Sequence, residues 1–359
     1  MKKIIVGILL LLNGLAVVGM LISAYAGYVD PTRHPHLSTF SIVFAYTVLP
    51  VVVFLPVWLV LRRRFMLISL VALVAALPAL RTTMPVNFKH APPTDALKVL
   101  TYNVWLFDKW EYPQTTDNAI VRYISESQAD IVCVQEACFQ DFDSVALMRP
   151  MAAVYPYRHV LRENHSDTQL MLLSKLPIIH AEQIDYHSDA NLSMAYELAW
   201  GSDTILVVNN HLETNAITEA DRTRMQTITN DSPRAPRSKW RSARVLHSKL
   251  AAAARIRAPQ ARAVAQYIKD NRRRYVIVCG DFNDHPLSYA YRTIARGLTD
   301  CFVATGNGKG YTYHQSNINV RIDHLLCSKT FTPYACSVDR RIADSDHYPV
   351  VTYLKANDR

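Results

Sequence analysis

The chain has 359 residues, enough for about two or three domains, and half of them are hydrophobic. Its formal net charge of +9 and isoelectric point near 9.2 favour an anionic partner such as nucleic acid, a phosphorylated small molecule or a lipid surface. The six cysteines (Cys133, Cys138, Cys279, Cys301, Cys327 and Cys336) include no CxxC or zinc-like spacing, which argues against a cysteine metal site.

Three apolar runs come first, from Ile4 to Tyr25, Phe40 to Leu61 and Phe65 to Leu80. A helix needs about 20 residues to cross the hydrocarbon core, so the third is slightly short. Each run is expected to be a transmembrane helix, since only a helix satisfies its own backbone there. Lys2 and Lys3 precede the first run and Arg62, Arg63 and Arg64 separate the second from the third, whereas the Gly27–Thr39 connector carries only Arg33 as a lysine or arginine. Positive residues stay in the cytoplasm, so everything beyond Leu80 is expected on the periplasmic or outer side of a cell (inner) membrane. Ala24-Tyr25-Ala26 resembles a signal cleavage site, but the run before it exceeds the usual apolar length. Its removal would leave the orientation unchanged. If the third run were instead a buried hairpin or interfacial helix, the rest of the chain would face the cytoplasm. The expected organisation is a membrane region over residues 1–81, a linker over 82–96 with Pro85, Pro92 and Pro93, and a second domain over 97–359.

The texture changes at Leu97. Leu97–Val104 alternates and is expected to be a strand. Asn118–Gln128 has helical spacing, and Ala129–Glu136 reads as a strand buried on both faces. Further strands are expected at Leu170–Ser174, Thr204–Asn210, Tyr275–Cys279, Arg321–Cys327 and Val350–Leu354. Polar residues gather at their ends: Glu136, Asn210-His211, Gly280-Asp281-Phe282-Asn283-Asp284, Asp323 and Ser345-Asp346-His347. Taken singly, a histidine or a glutamate there is ordinarily structural or solvated. Acidic, amide and imidazole groups together suit Mg²⁺ or Mn²⁺ beside a phosphate.

Six blocks in order carry a resemblance: Leu100-Thr101-Tyr102-Asn103, Val134-Gln135-Glu136, Asn210-His211-Leu212, Gly280-Asp281-Phe282-Asn283, Arg321-Ile322-Asp323-His324 and Ser345-Asp346-His347-Tyr348-Pro349-Val350. Together they resemble the endonuclease/exonuclease/phosphatase superfamily, the DNase-I-like fold, over nearly all of residues 97–355. The resemblance implies a four-layer α/β sandwich, two mixed β-sheets flanked by helices, here preceded by three transmembrane helices. It also implies roles. Glu136 ligates the divalent cation, Asn103 helps position metal or phosphate, and Asp346 assists metal binding. Asp281 orients or deprotonates the attacking water, and Asn283 holds that water or a phosphoryl oxygen. His211 donates to a phosphoryl oxygen, and His347 contacts the scissile phosphate while Asp323 orients it. Asp284 and His324 are left as structural or substrate-contacting. Many family nucleases carry an acidic residue two positions after the first asparagine. Here Trp105 stands there, which weakens a second metal site and an analogy to DNA-repair nucleases.

Between Glu219 and Arg274 fifteen Lys or Arg face four Asp or Glu, so the basicity is local. Leu246–Ile268 has helical spacing and Asn230–Trp240 reads as a loop, giving a basic helical insertion over about 214–262. It is read as a solvated helix pair, a flap that draws in an anionic substrate, or a contact with lipid headgroups. The expected function is metal-dependent hydrolysis of an anionic phosphate ester (lipid, sugar phosphate or nucleic acid) outside the cytoplasm, with no protein partner implied. The alternatives are an extracytoplasmic nuclease for DNA or RNA and a catalytically inactive binding module.

Overall fold

The computed structural model describes residues 2–108, 118–138, 144–162, 168–188, 190–218, 220–221, 223, 236–271, 273–315 and 318–357, the side chains of 144–148 and 236–238 excepted. Helices α1 (Lys2–Tyr25) and α3 (Phe44–Leu61) are the cores of two segments, Lys2–Tyr28 and Pro35–Leu61, that are long and apolar enough to cross a membrane. The short helix α2 (Pro35–Ser38) opens the second. The third apolar run differs from a single straight helix. It forms α4 (Met66–Ala75) and α5 (Leu77–Thr83), bent by 54°. Pro78 sits in the first turn of α5, where its ring and missing N–H interrupt the ladder coming from α4. Asn13 ties the bundle together, donating to Ser69 Oγ and accepting from Trp58 Nε1, both at 3.0 Å. Such interhelical hydrogen bonds give an apolar bundle a defined packing.

After the linker, two six-stranded sheets form. The first comprises β1 (Leu97–Asn103), β2 (Ile131–Ala137), β3 (Tyr157–Arg162), β4 (Gln169–Ser174), β11 (Phe331–Val338) and β12 (Val350–Ala356) in the order β11-β12-β1-β2-β4-β3. The second comprises β5 (Ile178–Ile184), β6 (Ser193–Trp200), β7 (Asp203–His211), β8 (Tyr275–Asp281), β9 (Thr299–Asp300) and β10 (Asp323–Cys327) in the order β5-β6-β7-β8-β10-β9. Both are mixed: β1–β2 and β7–β8 run parallel, while β1–β12 and β8–β10 run antiparallel.

The inner faces meet in a core containing Val99, Cys133, Leu172, Tyr196, Ile277 and Leu354. Helices α6 (Ala119–Ser127) and α7 (Ser144–Val154) cover the first sheet through Ile120, Ile124 and Met151. Helices α8 (Pro236–Asn271) and α9 (Tyr289–Ile294) cover the second through Ala261, Val264, Ala290 and Ile294. The four-layer sandwich is therefore present. The six cysteines are free and buried, as small hydrophobes commonly are.

Three departures from the sequence reading have physical reasons. Strand β11 contains Pro333, which lacks a ladder donor and fits because β11 lies at a sheet edge. Strand β6, Ser-Met-Ala-Tyr-Glu-Leu-Ala-Trp, is built largely from residues with little strand preference and is held by pairing on both sides. The expected Asn230–Trp240 loop lies outside the described residues up to 235, and from Pro236 the chain is already helical, as proline at a helix start allows.

The N-terminal apolar helices and their connector pack directly on the sandwich. Leu287 is fully buried among Met20, Ala24, Phe44 and Ala76. Arg292 donates to Ala24 O at 3.0 Å, Arg262 pairs with Asp30 at 3.0 Å, and Ser41 Oγ meets His285 Nε2 at 3.3 Å. Arg321 donates to Thr82 O at the end of α5.

Gly280 fixes the approach of β8 to β7. Its φ is +121°, and a Cβ there would lie 2.0 Å from Asn210 O. Gly280→Ala should cost roughly 2–4 kcal/mol of stability. A urea titration of the detergent-purified chain measures it, and an unchanged midpoint would refute the close approach.

Candidate active site

Parallel pairing brings His211 and Asp281 to the same ends of β7 and β8. Antiparallel pairing sets Asp323 of β10 directly opposite Asp281. From the other sheet, β1 delivers Asn103 and β2 delivers Glu136. The Glu136 backbone is left-handed (φ 53°), within the register shift between Val134 and Ala137. Such a bulge re-aims a side chain. Asn103 Nδ2 bridges the sheets, donating to Glu136 Oε1 at 2.9 Å and to Asp281 Oδ2 at 3.1 Å.

His347 joins this cluster from the loop before β12. Its Nδ1 lies 2.7 Å from Asp323 Oδ2 and its Nε2 3.7 Å from Asp281 Oδ2. Ser345 Oγ donates to Asn103 O at 2.7 Å and accepts from His347 N at 3.1 Å, which pins the loop to β1. His211 Nε2 is 3.4 Å from Glu136 Oε1. Asn283, with φ 50°, donates its amide to Leu212 O at 3.0 Å and its backbone N–H to Asp281 Oδ1 at 2.7 Å. Asp346 Oδ1 lies 4.0 Å from His347 Nε2.

Electrostatics follow from this crowding. Burial acts to raise the Glu136 carboxyl, but the hydrogen bond and charge of His211, with Asn103 and His347, hold it at about 2. Burial and the neighbouring Asp323 raise Asp281. Burial acts against the charged His347 ring, but Asp323, Asp281 and Asp346 lift its pKa to about 10. The ring is therefore an imidazolium at neutral pH.

Two sets of three donor atoms lie within 4.8 Å of one another among the described residues: Glu136, His211 and Asp281; and Asp281, Asp323 and His347. Asp346 belongs to neither, and the orientation of Asn103 turns its NH₂ rather than its oxygen toward the carboxylates. Asp323 Oδ1 is buried without a hydrogen-bond partner. Carboxylate oxygens in this density fit a hard divalent cation.

Two supports escaped the sequence reading. Gln135 Nε2 donates to Asn209 Oδ1 at 2.6 Å, and Asn209 Nδ2 donates to Val134 O at 3.2 Å, a polar seam joining the sheets below the site. Arg257 of α8 is only 2% exposed. It pairs with Asp284 at 3.1 Å and donates to Glu213 O and Asn215 Oδ1 at 2.9 Å, while Asn215 Nδ2 donates to Asn283 O at 2.8 Å. The α8 helix thus braces the loops bearing His211 and Asn283. A signal existed, because Arg257 lies three residues after Ala254 and four before Ala261 on a buried stripe. His324 is structural: its Nε2 contacts Asp284 O at 3.0 Å, its ring packs on Phe282 and Tyr291, and burial lowers its pKa to about 4.

Comparison with known proteins decides the class. The endonuclease/exonuclease/phosphatase family model matches residues 100–347. The chain belongs to this family. A second family model, described as a domain of unknown function, matches residues 3–83. No curated protein matches the chain. Among solved structures, the catalytic domain of human nocturnin with bound sulfate is similar at TM-score 0.53 and 15% identity, over 74% of this chain and 97% of that one. Truncated TDP2 of Caenorhabditis elegans is similar at TM-score 0.51 and 16% identity, over 73% and 98%. A functionally unknown Enterococcus faecalis protein is similar at TM-score 0.51 and 12% identity, over 73% and 100%. These likenesses show the fold. Enzymes of the family hydrolyse phosphoesters and typically use a divalent metal.

Since the folded pKa of His347, about 10, exceeds its ordinary 6.5, the stability from its pairing is full below pH 6.5. It is lost as pH rises through about 10. Asp323→Asn should flatten this decline. Thermal melts in EDTA from pH 6 to 10 measure it, and superimposable pH profiles for the two proteins would contradict the pairing.

Proposed function

We propose that this enzyme hydrolyses a phosphate monoester or diester on the non-cytoplasmic side of a cell membrane, using Mg²⁺ or Mn²⁺. The observation that carries the reading is the convergence of Glu136, His211, Asp281, Asp323 and His347 from both sheets on one mouth. Glu136 would be the principal ligand; Asn103, which turns its NH₂ to the carboxylates, and Asp346, 4.0 Å from His347 Nε2, would assist from outside the three-donor sets. A bound cation would supply charge neutralisation at the phosphoryl oxygens. Asp281, its basicity raised by burial, takes the proton of the attacking water. Asn283 spends one amide hydrogen on Leu212 O and has a second for that water or a phosphoryl oxygen. The His347 imidazolium donates from Nε2 to the scissile phosphate, its ring orientation held by the contact of Nδ1 with Asp323 Oδ2. His211 donates to a second phosphoryl oxygen.

The proposed topology has three passes. The α1–α3 connector and the end of α5 both touch the sandwich, so they share one side. The 18 residues of α3 carry the chain about 27 Å away, which supports Arg62, Arg63 and Arg64 lying on the opposite, cytoplasmic side. The bent α4–α5 pair makes the return.

Asp281→Ala and His347→Ala should each lower kcat/KM on bis(p-nitrophenyl) phosphate by roughly 10²–10⁴-fold, and EDTA should abolish turnover until Mg²⁺ or Mn²⁺ is restored. Wild-type rates in both variants would sink the site. Single- and double-stranded DNA in the same assay test the nuclease reading.

For sidedness, a C-terminal reporter that matures only outside the cytoplasm should be active in cells. Activity of a cytoplasm-only reporter at that position would reverse the orientation.

A further inference from the structure

The two loops that rim the catalytic cluster both rest on the membrane segment. Residues 282–288 follow Asp281 directly. Within them His285 meets Ser41, and Leu287 O lies so close to Gly27 that a Cβ there would be 1.7 Å away. On the other side, residues 306–315 start at the chain's exit from α5. Gly308 N donates to Pro85 O at 2.9 Å, and Asn307 Oδ1 accepts from Asn87 N at 2.7 Å. The same loop ends at the catalytic histidine, where Tyr313 packs edge-on against His347 with ring centroids 5.2 Å apart.

Between these ends lies a row of cations and rings. Lys309 sits 5.6 Å from the Tyr311 ring, and Arg340 spans Tyr311 and Tyr348 at 6.0 and 5.9 Å. Tyr348 stacks on His314 at 3.9 Å. Lys309 and Arg340 are exposed and the rings half-buried. At the membrane end, the exposed Tyr46 near the head of α3 lies within electrostatic reach of Lys309. Neither Lys309 nor Arg340 has a carboxylate partner among the described ion pairs, in contrast to Arg341, which is held by Asp339 at 2.5 Å. A row of exposed cations beside tyrosines, starting near Tyr46 at the head of the proposed membrane helix α3, matches the chemistry of the layer where phospholipid phosphates lie.

We infer that the substrate is a membrane-resident phospholipid, whose phosphate passes from the bilayer surface along Lys309, Tyr311, Arg340 and Tyr348 to His347. The inference rests on the phosphoesterase reading above and adds the substrate class. Hydrolysis breaks one P–O ester bond. Water supplies the hydroxyl to phosphorus, and its proton ends on the leaving oxygen. The lipid portion stays in the bilayer. A water-soluble phosphoester needs no membrane support for the rim of its site, whereas here both rim loops are seated on membrane-segment residues.

The test uses the full-length chain in nanodiscs with two substrate sets. One is vesicles of phosphatidylcholine doped with phosphatidylglycerol, phosphatidylethanolamine, phosphatidylinositol or sphingomyelin. The other is bis(p-nitrophenyl) phosphate in solution. Wild type should cleave at least one vesicle lipid. Lys309→Glu combined with Arg340→Glu should lower the ratio of lipid to soluble-ester kcat/KM by about tenfold or more, chiefly through KM for the lipid surface. Tyr311→Ala, with its melting temperature checked, should move the ratio in the same direction. Cleavage of the soluble ester with no vesicle lipid cleaved overturns the lipid inference and leaves the phosphoesterase reading intact. An unchanged ratio in the charge-reversed variant also overturns it. Failure on both substrate sets overturns both readings.

Discussion

Two carboxylates placed side by side on neighbouring strands are the constraint around which this site is built. Register sets Asp281 directly opposite Asp323, an arrangement that is destabilising in a plain sheet. It persists because an imidazolium stands between them, 2.7 Å from one and 3.7 Å from the other. Burial sharpens both the repulsion and the attraction. The remaining local features serve that arrangement. Ser345 tethers the loop carrying the cation to β1, Asn103 shares its amide between two carboxylates, and Gly280 lets β8 approach β7 closely enough to align Asp281 with His211. A cluster with this much uncompensated acidity is prepared for added positive charge, which is what a phosphoryl-transfer site needs.

Glu136, His211 and Asp281 were legible because each lies at the end of an apolar strand run, whereas Asp323 opens β10 and His347 precedes β12, so those two were legible only through the ordered blocks. Glu136, His211, Asp281, Asn283, Asp323 and His347 all fall where the ordered blocks put them, and the structure brings them to one mouth. Asp346 and Asn103 were read as metal-associated, yet their atoms stand differently. Asp346 lies beyond His347, and Asn103 presents donors. Side-chain direction depends on backbone twist and hydrogen-bond partners that no spacing rule encodes. The edge strand β11 and the interior strand β6 were hidden for another reason: Pro333 and the alanines of β6 carry weak local preference, and tertiary pairing overrides it. Arg257 was hidden by its own chemistry, since an arginine in a basic stretch ordinarily faces water.

The basic stretch itself changed meaning. Its charge left open a solvated helix pair packed on the domain, a flap or a lipid contact; its described helical part, α8, forms part of the outer layer over the second sheet, with Ala261 and Val264 in the core. Arg262 reaches Asp30 of the membrane connector, and His247 meets Thr39 at 3.0 Å. One helix thus links three parts of the molecule: the connector through these contacts, the sheet through its apolar stripe, and the catalytic loops through Arg257. Local charge excess here reports a junction rather than an isolated surface.

Leu287 brings out what this junction means for how the protein can be handled. It is fully buried, and its neighbours in that cluster come from α1, α3, α4 and α5. Cutting the chain at the linker would leave an aliphatic side chain bare, strip Arg292 of its carbonyl acceptor at Ala24, and remove the Ser41 contact from the 282–288 loop that carries Asn283. The boundary visible in composition is therefore not a boundary in cooperativity. A water-soluble fragment would be a different folding unit from the intact chain, with its catalytic rim released from the surface that shapes it.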